Sequence, residues 1–202
     1  MTDQSAFFDE RAASWDAREG APDLGSLRRV VSEARLERGH RVLDVGTGTG
    51  VLVPLILEHI SADGMVVAVD VSQRMLSQAS AKTSADNVLF VAGDIHHLPA
   101  PDGAYDAEIC NAAFPHFEDP LESLREMIRA LRPGGVLVIS HPIGREAVNA
   151  RHRAAGGAVH RHQVPTPHMM RRLLSEVGTE EIAVLDEADF YLARCRKPHA
   201  HA

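Results

Sequence analysis

Cysteine and aromatic side chains are scarce in this sequence: 2 Cys, 1 Trp, 2 Tyr and 6 Phe in 202 residues. Both cysteines, Cys110 and Cys195, sit inside apolar runs. They read as core thiols in a reducing compartment, not as a disulfide framework. Excess positive charge is missing too: 21 Lys and Arg face 28 Asp and Glu, a formal net charge of −7. That excludes a general electrostatic pull on nucleic acid, although a local basic stretch stays open. No apolar segment reaches the roughly 18 residues that a membrane-spanning helix needs. The opening M-T-D-Q-S-A-F-F-D-E lacks the basic-then-apolar order of a signal peptide. These absences predict a cytoplasmic protein with no membrane span and no nucleic-acid partner. With 45% hydrophobic and 24% charged residues, the length suits one globular domain.

What is present is concentrated in residues 41–50, R-V-L-D-V-G-T-G-T-G. Val42, Leu43 and Val45 read as a buried strand that breaks at Gly46 into a tight turn. Glycine admits positive φ and carries no Cβ, so at Gly46, Gly48 and Gly50 the backbone can lie against a nucleotide. Apolar side chains at 51, 52, 55, 56, 57 and 60 read as a helix. Strand, glycine turn and helix open a nucleotide-binding βαβ unit. A second apolar run, 65–69, ends in Asp70, 20 positions beyond Gly50. A carboxylate there suits a ribose diol, because it accepts from both hydroxyls. The acid alone also fits NAD. The glycine spacing, G-x-G-x-G with Asp44 two residues ahead, departs from the G-x-G-x-x-G dinucleotide fingerprint.

This loop resembles the cofactor loop of class I S-adenosylmethionine-dependent methyltransferases. In that family D-x-G-x-G-x-G holds the methionine and ribose portions of S-adenosyl-L-methionine. The resemblance assigns those contacts to Asp44, Gly46, Thr47, Gly48 and Gly50, with Asp70 and its neighbour Val71 at the ribose. The runs V-D-V-S-Q-R-M-L and L-R-E-M-I-R-A-L-R-P-G-G-V-L-V-I-S are similar to the family as well. After a third strand at 88–91, the family places an acid on the adenine amine and an apolar residue against the ring. Asp94 and Ile95 stand there, and a carboxylate accepts naturally from an exocyclic amine; Asp94 after Gly93 also reads simply as a turn former. Asn111, at the exit of the fourth strand, joins the cofactor set. F-F-D-E-R-A-A-S-W-D resembles the start of ubiquinone/menaquinone-biosynthesis-type methyltransferases (methyltransferase type 11). The resemblance covers residues 41–140 strongly and both flanks weakly.

The remaining segments complete a plan. Residues 5–18 read as one helix carrying Phe7, Phe8, Ala12 and Trp15, either packed on the core or folded as a lid over the cofactor mouth. A second helix follows at 24–36, and Ser72 is placed to cap a third. Strand signals at 105–110 and 136–140 bracket a helix at 120–131, and a last helix at 166–177 precedes an antiparallel pair at 181–185 and 190–194. The expected fold is α/β: a Rossmann-like doubly wound sheet with a C-terminal antiparallel hairpin. Residues 1–38 form the N-terminal helices, 39–140 the cofactor core, 141–168 a substrate-side segment, and 169–202 the last helix and hairpin.

Histidine is abundant, with 12 in the chain, and residues 141–168 hold His141, His152, His160, His162 and His168. In open α/β sheets, ligands bind beyond the carboxyl ends of the strands. The first three strand ends serve the cofactor, which leaves the loop at 111–117 and His141 for the acceptor. His116 and His141 are therefore the candidate catalytic bases, since imidazole titrates near neutral pH. If residues 145–155 are helical, Arg145, Asn149 and His152 share one face and extend the acceptor wall; the plainer reading is a solvated polar face. On a strand, His160 and His162 would point the same way, and neutral imidazoles suit zinc, iron, copper or nickel. His141, His152, His160 and His162 are thus the candidate metal ligands, although no acidic or cysteine ligand is close in sequence. The function expected is methyl transfer from S-adenosylmethionine to a small-molecule acceptor. A metal-assisted enzyme on the same fold and a catalytically silent cofactor-binding protein are the alternatives. With little room for a recognition insert, either the acceptor is bulky and incompletely enclosed or a homodimer completes the site.

Overall fold

In the computed structural model, which describes residues 3–19, 23–155 and 162–199, the described strands form one seven-stranded mixed sheet. The strands are β1 (Arg41–Val45), β2 (Met65–Asp70), β3 (Val88–Ala92), β4 (Tyr105–Asn111), β5 (Leu131–His141), β6 (Glu180–Asp186) and β7 (Tyr191–Arg196). The helices are α1 (Asp3–Arg11), α2 (Trp15–Glu19), α3 (Leu24–Glu33), α4 (Val53–Ile60), α5 (Gln73–Ser80), α6 (Pro120–Ala130), α7 (Arg145–Ala155) and α8 (Pro167–Glu176). The strand order is β3-β2-β1-β4-β5-β7-β6. β1 to β5 pair in parallel, and β7 runs antiparallel to both β5 and β6. This is the doubly wound sheet with a terminal hairpin that the strand and helix periodicities predict.

The parallel strands are apolar on both faces because helices cover both. On one side Val42, Val66, Ala68, Ile109 and Val138 meet Leu27, Val30 and Val31 of α3 and Ile56 and Ile60 of α4. On the other, Leu43, Val45, Val67, Leu137 and Ile139 meet Leu124 and Met127 of α6 and Met170 and Leu174 of α8. Both cysteines are buried and free. Helix starts follow local chemistry: Ser72 Oγ accepts from Met75 N at 3.1 Å, Asp119 caps α6, and Thr166 Oγ1 accepts from Met169 N at 3.3 Å. Each satisfies a backbone donor with no partner inside its helix. Among the described residues no helix is long and apolar enough to cross a membrane.

Two segments differ from expectation. Residues 5–18 are not one helix: α1 and α2 are separated by a 3-10 turn at Ala12–Ser14. There Ser14 Oγ bonds to the Arg11 carbonyl at 3.4 Å, a side chain competing with the helical ladder. The strand expected at 136–140 begins earlier: the R-P-G-G stretch after α6 is absorbed into β5, whose register with β4 shifts between Tyr105 and Ala107. One buried group has no apolar rationale. Glu108, in central strand β4 between Leu43 and Leu137, has no hydrogen-bond partner on either carboxylate oxygen. Burial raises its pKa well above the ordinary carboxylate range, and Lys197 and Arg129 offset this only in part.

Strand order reverses between β1 and β4. There the β1–α4–β2 connection leaves to one side and the chain returns through β4 on the other, so a crevice opens beyond the carboxyl ends of the strands.

Candidate functional site

The glycine turn is hung from β2: Gly46 N and Thr47 N donate to the Val69 carbonyl at 2.8 and 3.0 Å. Gly46, Gly48 and Gly50 all have positive φ, at 66°, 55° and 77°. Their surroundings separate their roles. A Cβ at Gly46 would lie 2.4 Å from the Ala113 Cβ, and one at Gly50 would lie 2.9 Å from the Ala79 Cβ. A Cβ at Gly48 would meet nothing within 4 Å. Close packing of the turn requires the outer two glycines, while Gly48 leaves open space above the backbone.

Asp70 braces this turn from the tip of β2. Its Oδ2 accepts from Gly48 N and its Oδ1 from Ser72 N, both at 2.8 Å. Burial pushes the carboxyl up, and those backbone bonds oppose it. Each oxygen keeps a further lone pair for a diol. Asp94 accepts from His96 N at 3.0 Å and from His96 Nδ1 at 2.7 Å. Its partial burial acts upward, but the His96 bonds hold it below the ordinary value. His96 Nε2 in turn accepts from Asp119 N at 3.2 Å, which fixes the ring with its hydrogen on Nδ1. Asp94 is thus both the turn former and a wall residue.

The crevice holds about 940 Å³ of empty space, its open mouth included, the scale of small-molecule sites. Gly46, Thr47, Gly48, Asp70, Val71, Asp94, Ile95 and Asn111 line it, and so does His116. Asn111 Oδ1 is held by Ser140 Oγ at 2.9 Å. Two expected members are absent from the wall. Gly50 packs behind it on Ala79. Asp44 is buried, with Oδ2 accepting from Thr47 Oγ1 at 2.6 Å. Burial pushes the Asp44 carboxyl up to about 7, against the Thr47 bond and reinforced by the Asp70 charge. It shapes the turn from below.

Phe8 and Trp15 of the N-terminal helices also line the crevice, while Ala12 between them is buried. Two carboxylates latch these helices. Asp9 Oδ1 accepts from Ser72 Oγ at 2.5 Å and from Arg74 N at 3.3 Å. Asp16 accepts from Thr49 Oγ1 at 2.7 Å and Lys82 Nζ at 2.5 Å. Partial burial works against the Asp16 charge, but the Lys82 and Thr49 bonds hold its pKa low. Thr49, Val51, Met75, His96 and Phe117 line the site too. Sequence reasoning did not single these out, because loop and helix-start residues carry no period that says which way they face.

The histidines divide. His116 Nδ1 lies 2.9 Å from His162 Nδ1, and its ring centroid is 4.9 Å from that of His152 and 5.3 Å from that of Phe8. His152 Nδ1 bonds to the His162 carbonyl at 2.6 Å. Burial, then the neighbouring imidazoles of His152, His162 and His141, lower His116 to about 3. His141 does not share the crevice wall. It is buried at the end of β5, paired in register with Tyr191, and its Nε2 has no hydrogen-bond partner. Burial and then His152 lower it to about 3.

Residues 145–155 are helical, yet only His152 of the expected trio reaches His116. Arg145 Nε donates to Asp186 at 2.7 Å, toward the hairpin. Asn149 is buried and clamps the Val164 backbone, accepting from Val164 N at 2.8 Å and donating to its carbonyl at 3.4 Å. Both are occupied with structure because α7 turns that face onto β6 and the segment after residue 161. Among the described residues no group of three or more His, Cys, Asp or Glu side chains is placed to hold a metal ion. His160 lies outside the described residues.

Residues 43–139 match the family described as a methyltransferase domain. This segment is a class I S-adenosylmethionine-dependent methyltransferase domain. A demethylmenaquinone methyltransferase of Renibacterium salmoninarum is 34% identical over 145 residues, 68% of this chain and 59% of that protein. One from Thermus thermophilus is 40% identical over 119 residues, 58% of this chain and 54% of that protein. The chain spans about half the length of the curated relatives it matches. A crystal structure of an S-adenosylmethionine-dependent methyltransferase from Aquifex aeolicus superposes with a TM-score of 0.73 at 23% identity, covering 97% of this chain and 99% of that one. The family's cofactor is S-adenosylmethionine, and this crevice fits it: Gly48 is open where backbone must approach a ligand, and buried Asp70 has acceptor capacity left.

Proposed function

We propose that this methyltransferase transfers a methyl group from S-adenosylmethionine to a small, aromatic, uncharged acceptor. The supporting observation is a continuous crevice running from Gly48, Asp70 and Asp94 to an aromatic end made by Phe8, Trp15, His116 and Phe117. In this reading Gly46, Thr47 and Gly48 carry the aminoacyl part, Asp70 and Val71 the ribose, Asp94 and Ile95 the adenine, and Asn111 the rim beside the sulfonium. No Lys or Arg is among the described lining residues, so an anionic acceptor would meet no counter-charge. The substrate named for the relatives, demethylmenaquinone, is aromatic and apolar in the same sense. In this reading α1 and α2 cover the site while α3 packs on the sheet, and the core of 39–140 holds the cofactor. His152 and His162 of the 141–168 segment back the acceptor end, and α8 with β6 and β7 completes the sheet. The setting is cytoplasmic, in keeping with two free thiols.

The bound cofactor supplies an already activated methyl on a sulfonium. What the chain supplies is alignment and dryness, which account for much of the acceleration in such a transfer. The α1–α2 lid closes over the mouth through Asp9 and Asp16, and Phe8 and Trp15 exclude water. His116, neutral at working pH, faces the acceptor as the group that takes its proton.

Calorimetry with S-adenosylhomocysteine, then labelled-methyl transfer to a panel of phenols, quinols, amines and thiols, tests the reading. Binding and turnover with a hydroxylated aromatic are expected, with His116→Ala lowering turnover on the order of 10²–10⁴-fold. Tight binding without turnover on any acceptor would leave the silent binding protein in its place. Stoichiometric metal in the purified protein, needed for activity, would favour the metal-assisted enzyme. Sedimentation analysis decides whether a homodimer closes the acceptor end.

A further inference from the structure

The His116–His162 contact joins two ring nitrogens that come from positions 46 apart in sequence. Two imidazole Nδ1 atoms at 2.9 Å form a hydrogen bond only if one carries hydrogen and the other does not. Their placement is unequal. His116 is in the crevice wall, edge-on to Phe8 of α1, with His152 of α7 beside it and His141 of β5 within electrostatic reach. His162 is only partly buried and is not among the residues that line the crevice. The charged and titratable groups acting on it are His152 and the Glu118 carboxylate. His152 pins the His162 backbone through its carbonyl, and Asn149 pins Val164 two residues on.

We propose that His162 is a positioning residue for His116, fixing hydrogen on its Nδ1 so that Nε2 is the basic nitrogen left for the acceptor's proton. The inference rests on the reading of His116 as the acceptor-facing base. In the transfer, the acceptor O–H bond breaks and its proton goes to His116 Nε2. The His116 Nδ1 hydrogen stays in the bond to His162 Nδ1, and the Nε2 proton leaves to water that enters the crevice when product departs. The electron pair of the O–H bond stays on oxygen, which forms the O–CH₃ bond, and the S–CH₃ pair stays on sulfur. One proton leaves per methyl transferred. A proton resting on His116 would be buried among imidazoles.

The test is nitrogen NMR of the full chain labelled with ¹⁵N-histidine, bound to S-adenosylhomocysteine. The expected result is a through-hydrogen-bond coupling between the two Nδ1 nuclei and a single His116 tautomer. His162→Asn, whose amide sits near the Nδ1 position, should keep that tautomer; His162→Leu should yield a mixture. With an acceptor returned by the panel, His162→Leu should lower kcat at least tenfold with KM little changed, and His162→Asn should recover most of it. No coupling, or a single His116 tautomer in His162→Leu, overturns the positioning role and leaves His116 as base intact. Full activity of His116→Ala overturns the base reading and the positioning role with it, even where the coupling is seen. Equimolar zinc that displaces both Nδ1 signals and replaces the coupling would make the pair a metal site instead.

Discussion

Asp70 joins stability and cofactor binding in one side chain, so replacing it separates two claims. Asp70→Ala removes two charge-assisted bonds of 2.8 Å and leaves Gly48 N and Ser72 N without acceptors. An orphaned buried donor costs about 1–3 kcal/mol. Ser72 N is buried and Gly48 N partly so, and the variant no longer buries a carboxylate. The net loss expected is on the order of 2–4 kcal/mol, a fall in Tm of roughly 4–16 °C for a chain of this size. The ribose contact is a further hydrogen bond to a charged group, about 1.5–3 kcal/mol, or roughly ten- to a hundredfold in Kd. Asp70→Asn keeps one acceptor oxygen but turns an NH₂ toward the other donor, so it should fall between. The assay is thermal unfolding without ligand, then calorimetry with S-adenosylhomocysteine well below the melting temperature. Unchanged melting of Asp70→Ala would refute the brace. Affinity within twofold of the parent, in a folded variant, would refute the ribose role.

Gly48→Ala puts a Cβ into open crevice at positive φ, so it should lose about 1–2 kcal/mol of stability while cofactor affinity drops at least tenfold. Gly46→Ala presses on Ala113 and should melt earlier; the reverse ranking by melting and calorimetry would contradict the division. Asn149→Leu should cost about 2–4 kcal/mol in urea unfolding and speed exchange of the Val164 amide, and an unchanged exchange rate there counts against the clamp. Glu108→Met should be more stable than the parent by a margin that grows as pH rises above 4.5, the ordinary value. The raised folded-state pKa gives the parent stability that is complete at low pH and lost as pH rises; a pH-independent margin argues against a neutral buried Glu108. His141 works with the opposite sign. Its folded-state value of about 3, below the ordinary 6.5, means stability present above pH 6.5 and lost as pH falls toward 3. His141→Phe should therefore gain on the parent by up to about 1.4 kcal/mol per pH unit over that window, and parallel pH profiles in urea unfolding would sink the idea.

Residues 41–50, with Asp70 and Asp94, carried the core of the fold and one wall of the crevice in the sequence itself. A strand, its turn and the acid ending the next strand are near neighbours in the chain, and parallel pairing brings their ends to one edge whatever else happens. Ser72 was legible as a cap for the same reason, since a cap acts within three residues. The roles of the three glycines were not legible, because φ is positive at each and only Ala113 and Ala79, brought in by β4 and α5, separate packing from open space. Arg145 and Asn149 share a helical face with His152, as their spacing required. Their partners Asp186 and Val164 lie 41 and 15 residues away, and no local pattern encodes those pairings. His116 and His141 emerge from neighbouring strands, yet one lines the crevice and the other ends behind it against β7. Local sequence determines backbone course and strand-end chemistry through short-range sterics and hydrogen bonding. Which imidazole meets which is decided by packing of elements remote in sequence, and that exists only once the chain has folded.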